Sequence, residues 1–158
     1  MNALAEVHSL VEARLEYLFE NNASLYCFRP LLNADELQAW MRQNEFPVPS
    51  PDMHVTVCYS KTPVSWEDIP RKTDTLRVTS GDRSIKQFDG GATVLSFTSG
   101  ILHDRWQQFM AAGTSFDYDQ YRPHVTLTYE EVSPYNLRCE PYRGALFFGP
   151  EAYREVDP

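Results

Sequence analysis

Two histidines stand in near-copies of one short segment. "DMHVTVCYS" covers residues 52–60 and "RPHVTLTYE" covers 122–130, and each runs His, Val, Thr, a hydrophobic residue, a small or polar residue, then Tyr. In a strand, residues i and i+2 share a face. His54 and Thr56 therefore point one way and Val55 and Val57 the other, and His124 and Thr126 oppose Val125 and Leu127 in the same manner. Strict alternation sends Cys58 and Thr128 to the polar face and Tyr59 and Tyr129 to the apolar one. Burying imidazole and hydroxyl groups without partners costs several kcal/mol, so the polar face is expected to pair internally or to open onto a cleft. Two imidazoles across a cleft can divide proton transfer, one taking a proton while the other gives one, because histidine titrates near neutrality. Two threonine hydroxyls can hold phosphate oxygens. The reaction that fits is phosphodiester cleavage at a ribose, with the 2′-hydroxyl attacking the adjacent 3′-phosphate. The two histidines have no evident third ligand, so a zinc site is not expected.

Elements that would position these residues follow from periodicity. Residues 3–20 read as an amphipathic helix stopped by "NN" at 21–22, with His8 on it. "SLYCF" at 24–28 reads as a strand, 34–41 as a helix with Asn33 and Glu36 as a capping box, and 53–59 as a strand. Further strands are expected at 74–79, 84–88, 92–98, 124–129 and 144–150, with a helix at 100–112 ended by Gly113. Strand, helix and strand thus occur twice. The 70-residue spacing of the histidines also carries Leu25 onto Leu95, which would put the leading strands in register. Two such units can pack as lobes about a shared cleft, lobe 1 over about 21–72 and lobe 2 over about 90–158, within one domain.

Composition narrows the function classes. The 158 residues are 42% hydrophobic and 13% aromatic, enough for a packed core in a single domain. A net charge of -8 disfavours a protein that coats long nucleic acid, which needs many phosphate-neutralising cations. It leaves room for a small anionic ligand held by local donors. No segment has membrane-spanning length and no basic-then-apolar leader opens the chain, so a cytoplasmic protein, read as a monomer, is expected. Cys27, Cys58 and Cys139 are odd in number and lack a CxxC pair, which points to buried thiols rather than a disulfide framework.

Paired HxT motifs on strands resemble those of the 2H phosphoesterase superfamily. The resemblance implies an α+β, two-lobed, pseudo-symmetric fold with antiparallel sheets around a central cleft and helices outside. Within it, "PSPDMHVTVCYSKTPV", "FDYDQYRPHVTLTY" and "FFGPEAYREV" resemble the phage anti-CBASS protein 1 family. That likeness implies a phosphodiesterase that needs no cofactor or metal and cleaves 3′–5′ bonds of cyclic di- and trinucleotide signals in the host bacterial cytoplasm. It implies catalytic roles for His54, Thr56, His124 and Thr126, base stacking by Tyr26, and ligand contact by Glu151 or Glu155. The family closes its C-terminal region with an aromatic residue that "REVDP" lacks, so Trp66 is a candidate replacement. Tyr118 and Tyr121, just before the second motif, are candidates to grip a base. The RNA 2′,3′-cyclic phosphodiesterases of the superfamily, and a nucleotide-sequestering protein without turnover, are the alternatives.

Overall fold

The computed structural model describes residues 22–157. The expected helix over 3–20, with His8, lies outside the described residues. The rest is α+β with antiparallel pairing throughout. Its strands are β1 (Ala23–Pro30), β2 (His54–Val64), β3 (Leu76–Val78), β4 (Arg83–Gln87), β5 (Thr93–Phe97), β6 (His124–Thr128), β7 (Leu146–Phe148) and β8 (Ala152–Arg154). Six of them form one sheet in the order β4-β5-β6-β2-β1-β8, and β3 pairs with β7.

The helices are α1 (Ala34–Gln43), α2 (Gly100–Ala111) and α3 (Pro134–Arg138). Leu37 and Met41, one turn apart on α1, are buried, as are Leu102 and Phe109 on α2. Ser99 caps α2 by accepting from the Leu102 amide. The expected Asn33 cap is not formed, because the Asn33 side chain is engaged elsewhere. Its amide donates to the Ala145 carbonyl at 2.8 Å and its oxygen accepts from Phe147 N at 3.0 Å, tying α1 to β7. Sequence periodicity missed α3 and β8. The first is a single capped turn closed by a Ser133–Asn136 capping box, and the second is only three residues long.

Alternation in β1, β2, β5 and β6 builds the core. Leu25, Cys27, Val55, Val57, Leu95, Val125 and Leu127 are all fully buried on the side that also holds Phe109 and Phe148. The strand-helix-strand unit occurs twice, as β1-α1-β2 and β5-α2-β6. The pairing registers repeat as well. Phe28 faces Thr56 and Cys27 faces Cys58, so β2 has one extra residue, Val57, between those pairs. Val94 faces Thr126 and Thr93 faces Thr128, which leaves Leu127 as the extra residue on β6. Each motif strand therefore carries a β-bulge at the same place, two residues against one on its partner. The leading strands match through Phe28 and Val94, not through Leu25 and Leu95, so that expected alignment was four residues out of step.

The bulges redirect the side chains beyond them. Val57 and Cys58 are both buried, and so are Leu127 and Thr128. Cys58 and Thr128 do not share the histidine face, contrary to strict alternation. The Thr128 hydroxyl instead donates to the Val48 carbonyl at 2.8 Å. Tyr59 and Tyr129 emerge on the open side. Tyr59 packs its ring 5.5 Å from Tyr26, and Tyr129, just past β6, is 68% exposed.

Candidate active site

The two motif strands are neighbours at the centre of the sheet, joined through the pair Val55↔Val125. One step along the antiparallel register in each direction sets Thr56 across from His124 and His54 across from Thr126. Facing residues of this kind have Cβ atoms about 4.5–5.5 Å apart. The sheet thus gathers two imidazoles and two hydroxyls into one small quadrilateral on the face opposite the valines.

Both imidazoles are clamped alike. His54 Nδ1 lies 2.6 Å from the Asp52 carbonyl and His124 Nδ1 lies 2.9 Å from the Arg122 carbonyl. A carbonyl only accepts, so each Nδ1 carries the proton, and the neutral ring keeps an acceptor at Nε2. Aromatic edges brace the rings, Phe28 at 5.4 Å from His54 and Phe88 at 4.8 Å from His124. The two Nε2 atoms differ in company. The Tyr26 hydroxyl donates to His54 Nε2 at 2.8 Å. His124 lines a cleft of about 900 Å³ with Thr56, Tyr59, Phe88, Phe116 and Tyr118. Burial holds the His124 imidazole below the usual histidine range. Its backbone bond to Arg122 opposes that, and the nearby His54 adds to it. Burial also lifts the Tyr26 phenol, against a hydrogen bond with Thr56 and the Arg154 charge.

Tyr26 alternates with buried Leu25 and Cys27 and lies on the histidine face, as its strand position foretold. Tyr118 stands at the cleft rim, 75% exposed, edge-on to Phe116 at 5.9 Å. Tyr121 lines the same cleft from deeper inside. It stacks on Trp106 at 5.8 Å, is 8% exposed, and its hydroxyl donates to the Thr56 carbonyl at 2.7 Å. Its geometry supports the β2 backbone beneath Thr56. Trp66 offers no surface to a base. It is buried, donates from Nε1 to the Ser24 carbonyl at 3.2 Å and meets Tyr153 edge-on. Glu151 is also interior. Its two oxygens accept from Arg105 Nε and Nη2, both at 2.9 Å, and one of them also accepts from the Lys72 amide at 2.8 Å. Glu155 is exposed beyond β8.

Three residues on the open face were not expected there from the sequence. Tyr59 and Tyr129 carried a visible signal, the Tyr that closes both copies of the motif, but the bulges that turn them outward did not show. Arg154 pairs across from Tyr26 on β8 and sets its guanidinium 5.0 Å above the Phe28 ring, a cation–π contact that leaves a cation close enough to Tyr26 to act on its phenol. Among the described residues no three His, Cys, Asp or Glu side chains gather as a metal would require. None of the described helices is long and apolar enough to cross a membrane.

The model of one protein family, described as anti-CBASS protein Acb1, matches residues 23–158. The anti-CBASS protein Acb1 of Sphingomonas paeninsulae is 42% identical over 144 residues, which is 84% of this chain and 23% of that protein. Its counterpart in Caulobacter sp. (strain RHG1) is 37% identical over 141 residues, covering 84% of this chain and 22% of the relative. That of Enterobacteria phage T4 is 35% identical over 96 residues, 60% of this chain and 61% of the phage protein. The chain spans less than a quarter of the length of the two bacterial relatives.

Proposed function

This chain belongs to the anti-CBASS protein Acb1 family, and from that premise we propose that it counters CBASS antiphage defence as a metal-independent phosphodiesterase of 2H type. Its substrates are cyclic di- and trinucleotides with 3′–5′ bonds, met in the host cytoplasm. The observation that carries the reading is the matched pair of histidines on adjacent central strands, each fixed through Nδ1 to the carbonyl two residues before it.

In this mechanism His124 is the base. It is neutral at ordinary pH, and it lines the cleft. Its Nε2 takes the proton from the ribose 2′-hydroxyl. The 2′-oxygen attacks phosphorus, the bond from phosphorus to the 5′-oxygen breaks, and His54, as the general acid, delivers a proton from Nε2 to that oxygen. The product carries a 2′,3′-cyclic phosphate. Thr56 and Thr126 donate to the non-bridging phosphate oxygens, where negative charge concentrates. Tyr26 donates to Nε2 while the His54 ring is neutral and turns to accept from Nε2 once that atom carries the acid's proton, until the leaving oxygen takes its place; its ring supports a base, with Tyr118 at the rim. One general acid and one general base contribute about 10²–10⁴-fold each.

The test is chromatography of timed digests in EDTA, with a 3′–5′ cyclic dinucleotide, its 2′-deoxy analogue and an RNA ending in a 2′,3′-cyclic phosphate. The cyclic dinucleotide should open and the 2′-deoxy ring should stay intact. Turnover of the RNA end alone would assign the superfamily's other activity, binding without products would make the protein a sponge, and activity restored only by added metal would end the proton-shuttle mechanism.

A further inference from the structure

The tyrosine that closes each motif has no role in proton transfer, yet the fold goes to some length to expose it. Without the bulges at Val57 and Leu127, Tyr59 and Tyr129 would alternate into the core. With them, both stand on the histidine face. The register puts them at opposite ends of the quadrilateral. Tyr59 lies beyond Thr56 in the cleft with His124, whereas Tyr129 lies beyond Thr126, on the His54 side. Tyr129 is 68% exposed, and its phenol is near enough to Tyr26 to bear on that group's ionisation. An exposed aromatic of this size, turned outward by a repeated backbone irregularity, is out of place as packing.

We propose that Tyr59 and Tyr129 are twin stacking platforms, one for the nucleobase on each side of the scissile phosphate. The inference rests on the phosphodiesterase reading only for where the phosphate sits. A phosphodiester between two nucleosides has a base on either side, and each end of the quadrilateral offers one His, one Thr and one Tyr to one nucleoside: Tyr59, Thr56 and His124 at one end, Tyr129, Thr126 and His54 at the other. A ligand with a single base, such as an RNA end bearing a cyclic phosphate, would fill one platform and leave the other bare. The duplication therefore selects for a phosphate flanked by two nucleosides. Stacking is tolerant of base identity because every base presents a π-face, so this device grips several base combinations alike.

A 2′-deoxy cyclic dinucleotide with 2-aminopurine as both bases tests this without turnover. Binding to the full chain should quench its fluorescence. Tyr129→Ala should raise the dissociation constant by roughly 5–150-fold, the range of one stacked base, and reduce the quench at saturation. Tyr129→Trp should restore both. Tyr59→Leu should do the same as Tyr129→Ala, and the folded state of both variants should show in an unchanged circular dichroism spectrum. Full affinity and full quench in folded Tyr129→Ala would overturn the proposal, as would a wild-type chain that fails to bind the ring. Binding with the expected losses, in a protein that leaves the ribose ring uncut, would sustain the platforms and reject the phosphodiesterase.

Discussion

Glu151 is where resemblance and geometry disagree, and removing its carboxylate decides between them. Family likeness makes it a ligand contact. In the structure it is buried, with its side chain fully inaccessible, and grips a guanidinium that is itself only 10% exposed. Two charge-assisted bonds from Arg105 and one from the Lys72 amide converge on its oxygens. Arg105 also donates to the Pro70 carbonyl at 2.9 Å, so the pair ties α2 to the segment before β3 and to the approach to β8. Glu151→Ala strands that guanidinium away from water. Breaking one member of a buried pair costs about 3–5 kcal/mol. For a domain of this size each kcal/mol lowers the melting temperature by roughly 2–4 °C, so the midpoint should fall by roughly 6–20 °C. Replacing both partners by apolar residues, Arg105→Met with Glu151→Leu, should recover most of the loss, because the pair's attraction largely offsets its desolvation. Thermal melts and urea titrations of the three proteins make the comparison. Below its melting range Glu151→Ala should bind the 2′-deoxy ring within about twofold of wild type, that is, within about 0.4 kcal/mol. A variant that melts with the parent but loses binding would refute the reasoning and return Glu151 to the ligand.

Two other outcomes bear on the chemistry. His54→Ala and His124→Ala should each lower turnover by roughly 10²–10⁴-fold with near-native melting curves, since both side chains face the open side of the sheet; a folded variant with full activity would remove that histidine from the mechanism. Because burial holds His124 below the usual histidine range, it stays neutral to lower pH than a free imidazole, so the acid limb of kcat/KM should fall below about 6.5. A limb above that value would assign the base to another group.

Much of this site was legible in the sequence because a strand's period fixes which side chains share a face. The His-x-Thr faces of β2 and β6, the buried Val55, Val57, Val125 and Leu127, and the repeated strand-helix-strand order all derive from it. The rest stayed hidden because it depends on the partner strand. A bulge is a mismatch in residue count between two strands, and neither strand shows it alone. That is why Tyr59 and Tyr129 were assigned to the core and Leu25 was aligned with Leu95. The burial of Trp66, Tyr121 and Glu151 was hidden for a related reason. Aromatic and charged residues in loops read as surface, and only the packed structure reveals Trp106 against Tyr121 or Arg105 around Glu151. Arg154 was missed because three residues are too few to declare a strand.

The join between the two halves has a consequence for how the molecule comes together. β1 pairs with β2 along most of its length, and β5 with β6 likewise, but β2 meets β6 at a single bridging pair. Each half closes over a short stretch of chain, while the join brings together residues 70 apart, so loop-closure entropy favours forming the halves before the join. The proposed acid and base belong to different halves. Local opening free energies are lowest where few backbone bonds must break, so between the motif strands themselves the seam is the weak line, and it is held shut from farther out by β8 on β1, by Asn33 on β7 and by Arg105 with Glu151. Parting it would carry His54 away from His124, so the proposed pairing of acid and base depends on these distant clasps as much as on the two strands that bear it.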